Sequence, residues 1–120
     1  MPIELNTKDG HVTITNDVIA TIAGGTAVKC YGIVGMASKS QIKDGFAEMI
    51  GKENYSRGIV VRQEDNRLHI DIYIIVSYGT KISEVARNVQ SQVKYKLSQS
   101  IGLEVDSVNI YIQGVRVANE

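Results

Sequence analysis

The stretch Leu68-His-Ile-Asp-Ile-Tyr-Ile-Ile-Val-Ser77 decides how this chain folds. Leu68, Ile70, Ile72, Ile74 and Val76 fall on every second position, the period at which a β-strand presents one face. Burying these side chains at ~1.5–3 kcal/mol each is worth on the order of 10 kcal/mol, as much as the net stability of an ordinary domain. No other stretch of this length matches it. His69, Asp71, Tyr73 and Ile75 must then point to the opposite face, and a function is to be sought there.

Immediately upstream, Ile59-Val-Val-Arg-Gln-Glu64, the turn pair Asp65-Asn66 and Arg67 read as the first arm and loop of a β-hairpin. A two-residue loop sets Glu64 opposite Arg67, Arg62 opposite His69 and Val61 opposite Ile70. Slipping the register by one residue would bury Arg62 and Glu64, so the alternative is discarded. Downstream, Ile82, Val85, Ala86, Val89, Val93, Leu97 and Ile101 recur at threes and fours from Lys81 onward, with Gly102 placed as a C-terminal stop. A further alternating run follows in Val105–Gln113, with Val108, Ile110 and Ile112 inward and Asn109, Tyr111 and Gln113 outward.

Towards the N-terminus the signals are shorter. Met1 to Gly10 is polar and reads as loosely ordered up to a short strand at His11–Thr15. Thr15 or Asn16 offers a helix N-cap and Asp17 suits the positive end of the dipole. Val18, Ile19, Ile22, Ala23, Thr26, Ala27 and Cys30 then form an amphipathic stripe that ends near Tyr31-Gly32. Gly24-Gly25 interrupts it at a cost of roughly 1–2 kcal/mol, which points to close packing on a neighbour. A short apolar strand, Ile33–Ala37, comes next, and Ile42, Phe46, Met49 and Ile50 suggest a short helix over Ile42–Ile50.

These elements fit one α+β domain over residues 1–120: a two-layer sandwich with two main helices on one face of a mixed or antiparallel sheet of three to four strands. A hydrophobic fraction of 43% and a charged fraction of 22% are those of a globular chain rather than a disordered one. Thirteen basic and thirteen acidic residues cancel, so no global field draws the chain to nucleic acid or anionic lipid. The single cysteine, Cys30, suits a reducing compartment. The opening Met-Pro-Ile-Glu-Leu-Asn lacks the charged and apolar regions of a signal peptide, and no apolar run approaches the ~20 residues of a membrane span. A cytoplasmic protein is expected, membrane-associated through a partner rather than by direct insertion.

With the elements placed, the chain resembles the alkaline shock protein, or envelope stress response, family of Gram-positive bacteria. The segments that carry the resemblance are Gly10-His-Val-Thr-Ile-Thr-Asn-Asp-Val-Ile-Ala-Thr-Ile-Ala23, Asp44-Gly-Phe-Ala-Glu-Met-Ile50 and the long run from Leu68 to Val115. Within that run Tyr78-Gly79, Val93, Gly102-Leu103, Val105, Val108-Asn109 and Gly114-Val115 are the most specific element. The resemblance implies a small cytosolic protein of cell-envelope homeostasis with no known catalytic activity. It also implies self-association, common in the family, in some members membrane attachment through a separate anchor protein, and, because relatives in some genomes lie beside a fatty-acid kinase, a lipid-metabolism context with such a kinase as a candidate partner.

No catalytic set, cofactor motif or metal site is read from the residues. Ser40-Gln-Ile-Lys43 spells S-x-x-K without the partner motifs that a serine acylase needs. Gly45 to Lys52 is one residue too long for a phosphate loop and has Glu53 where a hydroxyl should meet magnesium. Asn54-Tyr-Ser56 matches a glycosylation sequon that has no meaning in the cytosol. His11, His69 and Cys30 lack ligand spacing. Arg62, His69 and Asp71 share a sheet face, where a solvated cross-strand cluster is favoured over an acid–base pair that needs a dry pocket.

The candidate interaction face is therefore Val60, Arg62, His69, Asp71, Tyr73, Ile75, Asn109 and Tyr111, on the sheet side away from the helices. Aromatic and aliphatic groups beside an arginine suit a protein interface. Two other readings stand beside it. Met1 to Thr15 or the middle region covers the face within the monomer, or Tyr73 and Tyr111 stack single-stranded RNA bases. The nearby Asp71 and Glu64 make the RNA reading the weakest. The helix from Lys81 carries Lys81, Arg87, Lys94 and Lys96 against Glu84, a mildly basic surface of the kind usually just solvated.

Overall fold

The computed structural model of the chain describes residues 3–38, 49–50, 56–65 and 67–117. In chain order they form β1 (Ile3–Thr7), β2 (Gly10–Ile14), α1 (Asn16–Ala27), β3 (Ile33–Ala37), β4 (Met49–Ile50), β5 (Ile59–Glu64), β6 (Arg67–Ser77), α2 (Ile82–Ile101) and β7 (Ser107–Arg116). The expected α+β architecture is present, with a mixed main sheet of five strands, one of them the two-residue β4, and a separate two-stranded hairpin.

β6 is the axis of the main sheet. β7 runs parallel along one edge of it, from His69 opposite Ser107 to Ser77 opposite Arg116. A parallel neighbour requires a crossover, and α2 supplies it. On the other edge β5 and β3 lie antiparallel, β5 against the first half of β6 and β3 against Ile74 to Val76. The hairpin register is the one expected, with Glu64 opposite Arg67, Arg62 opposite His69 and Val61 opposite Ile70. Asp65 in its loop takes a φ of 54°, which Asp tolerates better than most side chains.

Thr15 caps α1, its side chain accepting from the Val18 N–H. The helix stops at Ala27, short of Tyr31, because Lys29 and Cys30 donate to carbonyls three residues back (Thr26 and Ala27) and so tighten the last turn. Gly24 is buried, as expected of a packing glycine, and α1 packs against α2. Gly102 ends α2 at a φ of 69°, with its N–H on Ser98 O and the Leu103 N–H on Leu97 O, a Schellman closure. On α2 the buried stripe is Val85, Val89, Val93 and Leu97, while Ile82 at the helix start is exposed.

The helices and one sheet face enclose the main core, which holds Ile19, Ala23, Leu68, Ile70, Ile72, Ile74, Val76, Val89, Val93 and Leu97. β3 keeps both Ile33 and Met36 in this core across an odd spacing because a bulge between Ile33 and Gly35 shifts its phase. Two expectations need correction. The segment before His11 is not loose: β1 pairs with β2, from Ile3 opposite Ile14 to Thr7 opposite Gly10, and Ile3 and Leu5 pack on the helix-side core. Met49 and Ile50 are not helical, since they pair as a strand with Ala37 and Met36, while the rest of the expected 42–50 helix lies outside the described residues.

Candidate interaction face

Alternation along the strands brings the eight candidate residues together on the sheet face away from the helices. Tyr73, Ile75 and Ala37 form a second small core there, with Val34 and Val60 packed against it. Tyr73 and Tyr111 stand opposite each other in the parallel ladder, and their rings stack at 4.8 Å between centroids and 15° between planes. A bulge in β7 between the partners of Ile74 and Ile75 sets Gly114 over Ile75, where an added Cβ would lie 3.1 Å from Ile75 Cδ1.

Next to the tyrosines lies a polar network. The Arg62 guanidinium grips Asp71 with two bonds, Nε to Oδ2 at 2.8 Å and Nη2 to Oδ1 at 3.1 Å, and donates from Nη1 to Glu64 Oε2 at 2.8 Å. Asn109 Nδ2 donates to Asp71 Oδ1 at 3.0 Å and to Ser107 Oγ at 3.2 Å, and His69 Nδ1 shares a 2.6 Å hydrogen bond with Ser107 Oγ. The bonds to Asp71, then those to Glu64, hold the Arg62 guanidinium more firmly protonated than usual. Burial, followed by the nearby Asp71 carboxylate, pushes the Tyr73 phenol up.

The face is less open than the sequence led us to expect. Tyr73 is only 9% exposed, Asp71 5% and Ile75 not at all, whereas Tyr111 is 40% exposed. The cause is layering: neighbouring strands close over β6 from both edges, Val34, Ala37 and Val60 wall in Ile75 and Tyr73, and the Tyr111 ring lies across Tyr73. The N-terminal hairpin is not the cover, because Ile3 and Leu5 pack on the other core; most of the middle region, the other expected cover, lies outside the described residues. The surface of this face is thus Tyr111 with the half-buried Arg62, His69 and Asn109; Tyr73, Ile75 and Asp71 lie beneath them.

Ser107 was missed in the sequence, since its place beside His69 follows only from the β6–β7 register. With one guanidinium against two carboxylates, the cluster does not favour a phosphate backbone. Among the described residues no three His, Cys, Asp or Glu side chains gather as a metal site. His11 sits on the exposed N-terminal hairpin, and Cys30 follows α1, where its thiol donates to Thr26 O at 3.5 Å and desolvation pushes its pKa up. The S-x-x-K segment lies outside the described residues, as do all but Met49 and Ile50 of the phosphate-loop-like segment and all but Ser56 of the sequon. No described helix is long and apolar enough to cross a membrane.

Comparison with known proteins accords with the resemblance read from the sequence. The chain is 70% identical to the uncharacterized protein YloU of Bacillus subtilis, over 99% of each chain. It is 48% identical to an uncharacterized protein of Streptococcus pyogenes, over 100% of this chain and 99% of that one. A second B. subtilis relative, the uncharacterized protein YqhY, is 32% identical over 92% of this chain and 81% of its own. No solved structure matches. The model of the alkaline shock protein 23 family, described as having a cell envelope-related function, matches residues 4–117, and the chain belongs to that family.

Proposed function

We propose that this chain is a non-enzymatic scaffold of cell-envelope homeostasis and stress response, working by self-association and by docking a protein partner near the cytoplasmic membrane. The observation that carries the reading is the Tyr111 ring, half exposed and held flat on a buried tyrosine beside side chains already fixed by one another. A tyrosine whose rotamer is set before binding loses little conformational entropy on contact, the condition under which an aromatic anchors an interface. The polar rim around it, fixed by Asp71 and Ser107, adds directional hydrogen bonds at small ordering cost.

Membrane association on this reading comes through the docked protein, and a fatty-acid kinase is one candidate partner. The RNA-binding alternative has the stacked tyrosines in its favour and the acidic balance of the cluster against it. Cell fractionation tests the reading. The native chain should divide between the cytosolic and membrane fractions, and Tyr111→Asp should shift it to the cytosol with its melting temperature kept. An equal distribution of the two proteins would refute docking through this face.

A further inference from the structure

The ten-residue β7 bonds to β6 along one edge, and among the described residues no strand pairs with the other. Within Ser107–Arg116 there is no proline, and the single charge stands at the last position. Exposed edges of natural sheets are usually blunted by such residues or by bulges; the β7 bulge comes only after Ile112, so the stretch before it, Ser107 to Ile112, is a template for another extended chain. α2 runs beside it. Arg87, Gln90 and Lys94, at spacings of three, four and seven, share one helix face and line, opposite Ser107 and Asn109, a groove of about 510 Å³.

The groove has two unlike walls. On the strand side a β7 backbone acceptor already takes a bond from a side chain, Gln90 Nε2 donating to Val108 O at 2.9 Å. On the helix side, neither Arg87 nor Lys94 has an ion-pair partner among the described residues. The one acid in the lining, Asp106, spends its Oδ2 on the Leu68 N–H at 2.8 Å. An extended peptide laid along β7 would send every second side chain towards α2, and carboxylates there would meet both cations. A second copy of β7 fits poorly, because edge-to-edge pairing brings the Arg87 and Lys94 of two α2 helices side by side.

We propose that the outer edge of β7 docks an extended acidic segment of a partner protein, which joins the sheet as an added strand and sets its carboxylates against Arg87 and Lys94. This surface adjoins the Tyr111 face at Ser107 and Asn109, but its cations lie on α2, and the proposal stands whether or not that face docks anything.

The test is fluorescence anisotropy of the full chain with a labelled peptide of alternating Glu and Val. Three comparisons accompany it: the Lys and Val counterpart, the acidic peptide N-methylated at alternate residues, and the double variant Arg87→Glu, Lys94→Glu. The acidic peptide is expected to bind, more weakly as salt is added. Affinity is expected to fall about tenfold or more in the double variant and by a similar factor on N-methylation, with the variant's melting temperature unchanged. The Lys and Val peptide is expected not to bind. No binding at low salt, equal binding by the double variant, or equal binding of the N-methylated peptide overturns the proposal. So does a dimer, seen by light scattering, whose β7 amides are protected from hydrogen exchange and which the acidic peptide does not dissociate.

Discussion

Tyr111 lies almost parallel over Tyr73, with 4.8 Å between ring centroids, yet the lower ring is sealed and the upper one is half exposed. The two make unequal contributions. Tyr73→Ala empties a packed position and is expected to destabilise the fold by about 3–5 kcal/mol. Tyr111→Ala should cost about 1 kcal/mol, mostly lost stacking. A double-mutant cycle in urea should return a coupling of about 0.5–1.5 kcal/mol; additive effects would mean that the stack is not formed in solution.

Asp71 is buried and carries a charge gripped by Arg62 and Asn109. Asp71→Asn keeps the shape and removes the charge, and is expected to destabilise by about 1–3 kcal/mol. Glu64, out in solvent on the same guanidinium, should matter little when replaced by Gln. Repeating both melts at high salt separates them, because only the exposed pair is screened.

Gly58 sits where β3 and β5 meet at one edge of β6, and an added Cβ would come within 3.0 Å of both Met36 Cβ and the Ala37 carbonyl oxygen. Backbone cannot yield as a side-chain tip can. Gly58→Ala is expected to lower stability by about 1–3 kcal/mol, read from the urea midpoint.

Alkaline pH should weaken the fold through Tyr73. Its pKa is raised in the folded state, so between the unfolded and folded values the native chain holds more protons than the unfolded chain, and stability falls as pH rises. The contribution is fully present below an ordinary tyrosine value of about 10 and is lost as pH climbs through the raised one. Cys30, also raised, acts with the same sign from about pH 9, its ordinary value. Thermal melts from pH 8 upward should decline less steeply in Tyr73→Phe than in the native chain.

How much was legible in the sequence varies with the kind of signal. The β6 alternation and the Asp65-Asn66 turn were enough for the central strand, the hairpin register and the grouping of the candidate face, because a period of two allows only two assignments and one buries charge. The helix stops were legible where chemistry marks them, as at Gly102. Ile3 and Leu5 gave too short an apolar pattern to reveal β1, and Met49 and Ile50 were read with the wrong period because two residues of strand carry none. Tyr73 exposes a deeper limit. Alternation tells which side of a sheet a residue faces but not how many layers lie over it, so its burial became visible only once β3, β5 and Tyr111 were in place. Ser107 needed the parallel register of β7 before it met His69.

The central claim, that the half-exposed Tyr111 face joins this chain to other molecules, is tested most directly by light scattering of the purified protein across a wide concentration range. The native chain is expected to gain mass with concentration, and Tyr111→Asp to remain at the mass of one chain while melting as the native protein does. A native chain that stays a strict monomer throughout, or a Tyr111→Asp variant that associates equally well, would contradict it.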